Sequence, residues 1–583
     1  MSWASTRRRR VRGAVGTSSG GVVVVGGGGV TPPVVTGNYS RFAPRYATLP
    51  TGITFNGTTG RYDGTSVDTT EPTWAVTDSS LTDTGNVSTN LINLNAKVAS
   101  YAASMTGNTR ILVPYTSRHA GTLVLPASTT GYWIGIYTSH YSSLPALSPG
   151  TSVGTQSANR VGPSHLAHMP EFYATGVNES AILTTAGTSQ KYFLRGLYAS
   201  NRLGIVCEGS CIDVHTPYSS VYPSDITLAQ LYADGGGYTA GMRRAVGFGG
   251  QRQAIVDSYI VNVGSSANDN QGVLMYSGAG PYKHNNCHTI IGGASENVMA
   301  GGYGLDGTDA TFLPSDIEVR GNLFEKPSFQ GAHKNCVEVK LGRRWLVEGN
   351  VMTGQTGISQ IFAIVVKLTD QSGGNLATDT SDVTIANNRV LDGPGGIVVS
   401  GGEFYSGTNT SRRVDIKNNV VFPLTVFPGR AFQFSGGNTG PTNHIDVQWN
   451  TGVSAPASLN IYAPAVMFSD YGASDTFTLQ NNVLVGADGN SGVVSHASGG
   501  GIGETAFANA ISNGVFTTNL VNYTSASYAS QVRVADMSSV GFVDLTGRNL
   551  ALSGASSGHA AGTGGFDLGA DFALNTAIIS GVT

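Results

Sequence analysis

Between Ser315 and Val485 one short phrase returns six times, alternating apolar and polar residues before it stops at asparagine. It reads SDIEVRGNLF (315–324), RWLVEGNVM (344–352), SDVTIANNRV (381–390), RRVDIKNNVV (412–421), NHIDVQWNTGV (443–453) and DTFTLQNNVLV (475–485). The closing residues Asn322, Asn350, Asn388, Asn419, Asn450 and Asn482 are spaced by 28, 38, 31, 31 and 32 residues. Alternation predicts a strand. The asparagine predicts a turn, because its amide tolerates left-handed backbone and can bond the matching amide of the next unit. A unit this small cannot bury its own apolar face, so the units must stack into a solenoid. The expected fold is all-β: a right-handed parallel β-helix.

A second strand follows in each unit, as VEVKL at Val337, AIVVKL at Ala363, GIVVSG at Gly396, AFQFSG at Ala431 and AVMFSD at Ala465. Weaker copies of the phrase begin at Lys191, Ser224 and Ala254, and their alignment places Gln230, Ser258 and then Asn286 at the asparagine position. Loops of uneven length between units account for the uneven spacing, and such insertions commonly form the working side of a solenoid.

Upstream, Leu91, Leu94, Val98 and Tyr101 recur three or four residues apart after Ser88, which predicts a short amphipathic helix with Ser88 as its N-cap. Such a helix suits a cap over the first coil. The chain therefore divides into a basic, glycine-rich tail (1–36), an irregular attachment segment with the capping helix (37–105), the β-helix (106–490) and C-terminal coils with a closing segment (491–583). The tail, with RRRRVRG and SSGGVVVVGGGG, reads either as a disordered terminus or as an arm that threads into a partner assembly.

Charge and cysteine content narrow the function. Charged residues make up only 12% of the 583, and hydrophobic residues 40%. Net charge is −3, and setting aside Arg7, Arg8, Arg9, Arg10 and Arg12 leaves about −8. A body of that sign is unsuited to nucleic acid, except through the Arg7–Arg12 tail. Four cysteines are too few for a disulfide framework, although Cys207 and Cys211 are close enough in sequence to close a loop. Neither a secretory signal peptide nor a membrane-spanning run is expected from the sequence.

The phrases HMPEFYATG (168–176), RRAVGFGGQRQAIVDSYI (243–260), SENVMAGG (295–302), PSDIEVRGNLFEKP (314–327) and GRRWLVEGNV (342–351), with the ending LALSGASSGHAAGTGGFDLGAD (550–571), resemble the pectate-lyase-like superfamily of right-handed β-helix proteins. Within it they are similar to bacterial β-helix repeat proteins. A β-helix behind a non-signal N-terminal segment also resembles phage tail spikes. That resemblance implies a virion appendage, trimeric, docked on other virion proteins through its first 100 residues, outside any membrane, and recognising cell-surface polysaccharide. The alternatives are a polysaccharide lyase or glycoside hydrolase, and a purely structural particle or surface protein.

Reading the second strands as columns aligns Ala300, Lys340, Lys367, Ser400, Ser435 and Ser469, and, two residues earlier, Val298, Glu338, Val365, Val398, Gln433 and Met467. Two lysines on neighbouring coils repel unless an anion lies between them. Glu338, Lys340 and Lys367, with Glu296 one coil earlier and Glu325 after Asn322, are thus candidates for binding an acidic sugar or cleaving a glycosidic bond. Glu296, Glu338 and Lys340 are the catalytic candidates, and Lys367 and Glu325 the binding ones. No metal or cofactor is expected. His284, Cys287 and His288 lack a second cluster, and the pair Asp306 and Asp309 in LDGTD, the one place that offers calcium ligands, lacks the glutamate of an EF-hand.

Overall fold

In a computed structural model the described residues are 37–582, excluding 152–156, 178, 185–188, 206, 216–221, 238–240, 265–268, 277–279, 292–295, 302–312, 327–333, 355–361, 370–378, 394, 403–409, 423–428, 437–441, 455–463, 470–475, 487–491 and 498–500. They belong to one compact unit, Pro32–Thr583, a right-handed parallel β-helix. Each coil contributes one strand to each of three parallel sheets, of 14, 14 and 12 strands. Ser315–Arg320, Leu323–Glu325 and Val337–Val339 make one such coil. Every repeated phrase therefore holds two strands, not one, folded at its asparagine.

The fold at that corner is made by the residue before the asparagine. Gly321, Gly349, Asn387, Asn418, Trp449 and Asn481 carry positive φ between 53° and 64°, the left-handed geometry that glycine and asparagine adopt most easily. The asparagine that follows then faces inward and ties coil to coil. Asn350 accepts at Oδ1 from the backbone N–H (3.0 Å) and amide (2.9 Å) of Asn322, and donates its own amide to Val319 O at 2.9 Å and Asn388 Oδ1 at 2.9 Å. The pattern repeats through Asn388, Asn419, Asn450, Asn482 and Asn519 and closes on Gln531. Upstream, the expected alignment is corrected by one residue. Gln230 and Asn286 occupy the left-handed position, so Leu231 and Cys287 join Ser258, placed as expected, at the ladder position, and the Cys287 backbone N–H donates to Asn322 Oδ1 at 2.8 Å. The continuous asparagine run thus begins at Asn322.

Stacking puts apolar residues in columns. In the first sheet Ile317, Trp345, Val383, Val414, Ile445 and Phe477 align coil by coil, all fully buried, each worth about 1.5–3 kcal/mol by removal from water. Trp345 and Trp449 are packed, as their setting in the repeat predicts. Cys211, Cys287 and Cys336 are buried, and the Cys207 side chain lies outside the described residues.

The first helix, α1 (Val87–Ser104), buries Leu91, Leu94 and Val98 over the first coil, with Tyr101 packed at its margin. Its N-cap is Asn86, whose side chain accepts from Thr89 N, rather than Ser88. A second helix, α2 (Gly503–Ala510), closes the other end of the core through Ala506, Phe507 and Ala510.

Residues 37–75, expected as an irregular attachment segment, form a strap along the outer face of the first sheet, running from the C-terminal coils toward the N-terminal ones. Phe42 packs on Trp449. Asp415 accepts from the backbone N–H groups of Arg45, Tyr46 and Ala47 at 2.7–2.9 Å. Asp382 takes Thr48 N, Asp316 takes Thr51 N, and Glu318 takes Ser66 N. Beneath the strap Arg320 bridges Glu318 and Glu348 at 3.3 and 2.8 Å. From the other end of the chain, α3 (Phe572–Ile579) lies over the asparagine corner, where Asn575 donates to Asn418 O, and Arg41 joins strap to tail through Asp571 at 3.0 Å. Among the described residues no helix is long and apolar enough to cross a membrane.

Candidate functional site

The strap covers the first sheet and the C-terminal tail the corner beside it, and the outward columns of the third sheet carry most of the sequence candidates. Its inward residues (Val337 and Val339, Ile364 and Val366, Ile397 and Val399, Phe432 and Phe434) are fixed in the core. The residues between them point out. Glu338, Val365, Val398, Gln433 and Met467 are in register, and Lys367, Ser400, Ser435 and Ser469 form the next column. One coil earlier the expected alignment is shifted by a residue. Glu338 pairs with Met299 and Val339 with Ala300, so Val298 and Ala300 face the core.

The structure brings four of the five sequence candidates together. Glu338 lies between Lys340 (3.8 Å, Oε2) and Lys367 (3.5 Å, Oε1). Glu296 sits next to it, with its Oε1 3.6 Å from Lys334 and its Oε2 accepting from Gln271 Nε2 at 2.9 Å. Gln271 is held in turn by Arg244 Nε at 3.1 Å. Lys334 also pairs with Asp269. Both carboxylates are fully buried, and they meet each other through a side-chain hydrogen bond.

Burial, reinforced by the Glu296 charge, pushes the Glu338 carboxyl up to about 8. Glu296 is held below its ordinary value against a large desolvation penalty, chiefly by its contact with Glu338 and by Lys334 and Lys340. Repulsion between like charges in so dry a site moves the pKa values of the two groups apart, so Glu338 takes up a proton more readily than Glu296. Lys326, fully buried, is pushed down to about 8 by desolvation.

Glu325 does not join this group. It stands on the second sheet, where it accepts from His288 Nε2 at 2.7 Å. The KHNNCH cluster comes apart in the same way. His284 is buried against Phe324, and burial holds its imidazole near 3. Cys287 lies in the ladder and His288 on Glu325. No group of three or more His, Cys, Asp or Glu among the described residues could hold a metal ion, and Asp306 and Asp309 lie outside them. Sequence reasoning missed Lys334, Lys326 and Gln271. They sit at the loop ends of their strands, beyond the alternating pattern that marks a column.

Down the same face the columns emerge from cover. Ser400, Gln433, Ser435, Met467 and Ser469 are half-exposed. Gln433 Nε2 donates to Ser435 and Ser469 at 3.1 and 3.3 Å, and the two hydroxyls are 2.7 Å apart. Arg430 closes one edge on Gln433. The result is a polar platform with the lysine–glutamate cluster at its head.

No family model matches the sequence, and no curated protein matches it. Among solved structures it is similar to the PL6 alginate lyase AlyGC at 11% identity, covering 76% of this chain and 52% of the lyase with a TM-score of 0.38. It thus spans about half of that enzyme. The catalytic unit of a GH87 α-1,3-glucanase from Streptomyces thermodiastaticus is similar at 12% identity, covering 80% of this chain and 68% of that one, TM-score 0.40. For a double mutant of the tailspike protein of E. coli bacteriophage HK620 the figures are 10%, 77%, 64% and 0.37.

Proposed function

We propose that this protein binds polysaccharide along the outer face of its third sheet, as the receptor-recognising shaft of a virion appendage. The observation that carries the reading is the half-exposed row Ser400, Ser435 and Ser469 headed by Lys367, with Gln433 and Met467 beside it. Its hydroxyls repeat at the coil spacing of about 4.8 Å, close to the length of one sugar ring, so an extended glycan can present a hydroxyl to each coil. Lys367 and Lys340 favour an acidic sugar at the head of the row. Residues 37–75 spend their polar groups on the solenoid's own flank, which leaves the docking role to the basic, glycine-rich residues 1–36. The test is binding to a panel of bacterial capsular and lipopolysaccharide glycans. Retention of at least one glycan by the wild type, lost when Ser435→Trp blocks the row, is the expected result. Equal retention by both proteins overturns it.

Cleavage at the head of the row is the second reading, favoured by the unequal protonation of the two carboxylates. Glu338, protonated, would donate its proton to the leaving glycosidic oxygen, but its contact with Glu296 is too close to admit the attacking water that an inverting pair holds across a gap of roughly 6.5–9.5 Å. Alternatively, Lys340 would act as the base in lyase chemistry on a uronate, with Lys367 on the sugar carboxylate. Full burial of both carboxylates puts this reading behind binding. Oligosaccharide release that vanishes in Glu338→Gln and Glu296→Gln supports it, and the absence of release from every glycan that binds removes it.

A further inference from the structure

Where the strap passes over the N-terminal coils it stands away from the first sheet and leaves a cleft of about 410 Å³. The floor is Thr227, outward between the inward Ile226 and Leu228. One wall is Trp133, half-exposed and fixed by its backbone N–H to Asn108 Oδ1 at 2.9 Å. The opposite side carries Arg252, paired in bidentate fashion with Asp225 at 2.6 and 2.7 Å. The strap supplies Asp68, whose Oδ1 accepts from Thr70 N and Oγ1 at 2.8 and 2.6 Å.

We infer that this cleft is a second saccharide site, selective for a neutral pyranose residue. An indole face offers the apolar surface on which the C–H face of a sugar ring stacks. A fixed carboxylate–guanidinium pair presents acceptors and donors side by side, the arrangement that a vicinal diol satisfies in both directions. The volume falls in the range of small-ligand pockets. Charge excludes the acidic sugars favoured at the third sheet. Arg252 is neutralised by Asp225, Glu71 by Arg195 and Arg110 at 3.2 and 3.7 Å, and Asp68 on the rim faces the buried Lys283, so the cleft lining, among the described residues, presents no cation that lacks a carboxylate beside it. The inference does not rest on the third-sheet reading, because the two faces share no residue.

Saturation-transfer NMR on the full-length protein tests it, with the methyl glycosides of glucose, galactose and mannose, glucuronic acid and spermidine as probes. At least one neutral glycoside receives saturation from the wild type and equally from Ser435→Trp. Trp133→Ala, or Arg252→Met if the first variant unfolds, weakens that binding at least tenfold at an unchanged melting temperature. Saturation of none of the neutral glycosides overturns the inference. So does binding of glucuronate or spermidine alone, or undiminished binding in both cleft variants.

Discussion

Glu338 is held in a state that its side chain does not choose in water, and that state is measurable. Its folded pKa, about 8, lies above its ordinary value of 4.5. The folded protein therefore takes up a proton between those values that the unfolded chain does not, and this group's contribution to stability falls as pH rises from about 4.5 to about 8, then levels. Glu338→Gln removes the titration. The difference in melting temperature between variant and wild type should widen in the variant's favour from pH 5 to pH 8, as a pH series of thermal scans reads directly. A parallel trend in the two proteins contradicts the assignment. The ladder amides are a structural counterpart. Asn388→Ala removes the acceptor of Asn350 N–H and leaves it buried without a partner, a loss of about 3 kcal/mol that should appear as faster unfolding in denaturant, while exposed Ser104→Ala leaves the rate unchanged. At this scale much was legible in the sequence. Glu338, Lys340 and Lys367 meet because side chains on adjacent coils must meet, and the repeat reveals the register. Glu325 does not join them, since sequence adjacency to Asn322 does not reveal that the corner there turns the chain onto another sheet.

Among the elements, the strap is the one the sequence concealed most completely. Residues 37–75 have no periodicity, since they earn their order from single carboxylates of distant coils: Asp415, Asp382, Asp316 and Glu318. In the repeat those acids read as solvent-facing positions. Asp415→Ala orphans three strap N–H groups at once, so limited proteolysis should cut near Arg41–Arg45 at least tenfold faster than in the wild type, with the coils intact. Unchanged cleavage would mean that the strap is held elsewhere. The periodic elements were legible. α1 appeared with its buried face as expected, its cap two residues earlier because Asn86, not Ser88, is placed to accept from Thr89 N. In sequence the phrase reads as one strand because the left-handed residue before each asparagine interrupts pairing without interrupting the alternation.

For the whole molecule, an appendage of the kind proposed is expected to assemble as a trimer. Sedimentation velocity should give three copies per particle, and a protein lacking residues 1–36 should lose attachment to the virion while keeping glycan binding. A monomer that attaches nowhere points to a free-standing β-helix. Among the described residues the strap and the C-terminal tail leave the outer face of the third sheet uncovered, and this is the face proposed to meet the glycan. Met467, half-exposed among the polar residues of that face, reports on it directly through the oxidation of its thioether, followed by mass spectrometry with and without a bound polysaccharide. Saturating glycan should slow Met467 oxidation severalfold. A polysaccharide that binds the protein and leaves Met467 oxidation unchanged contradicts it.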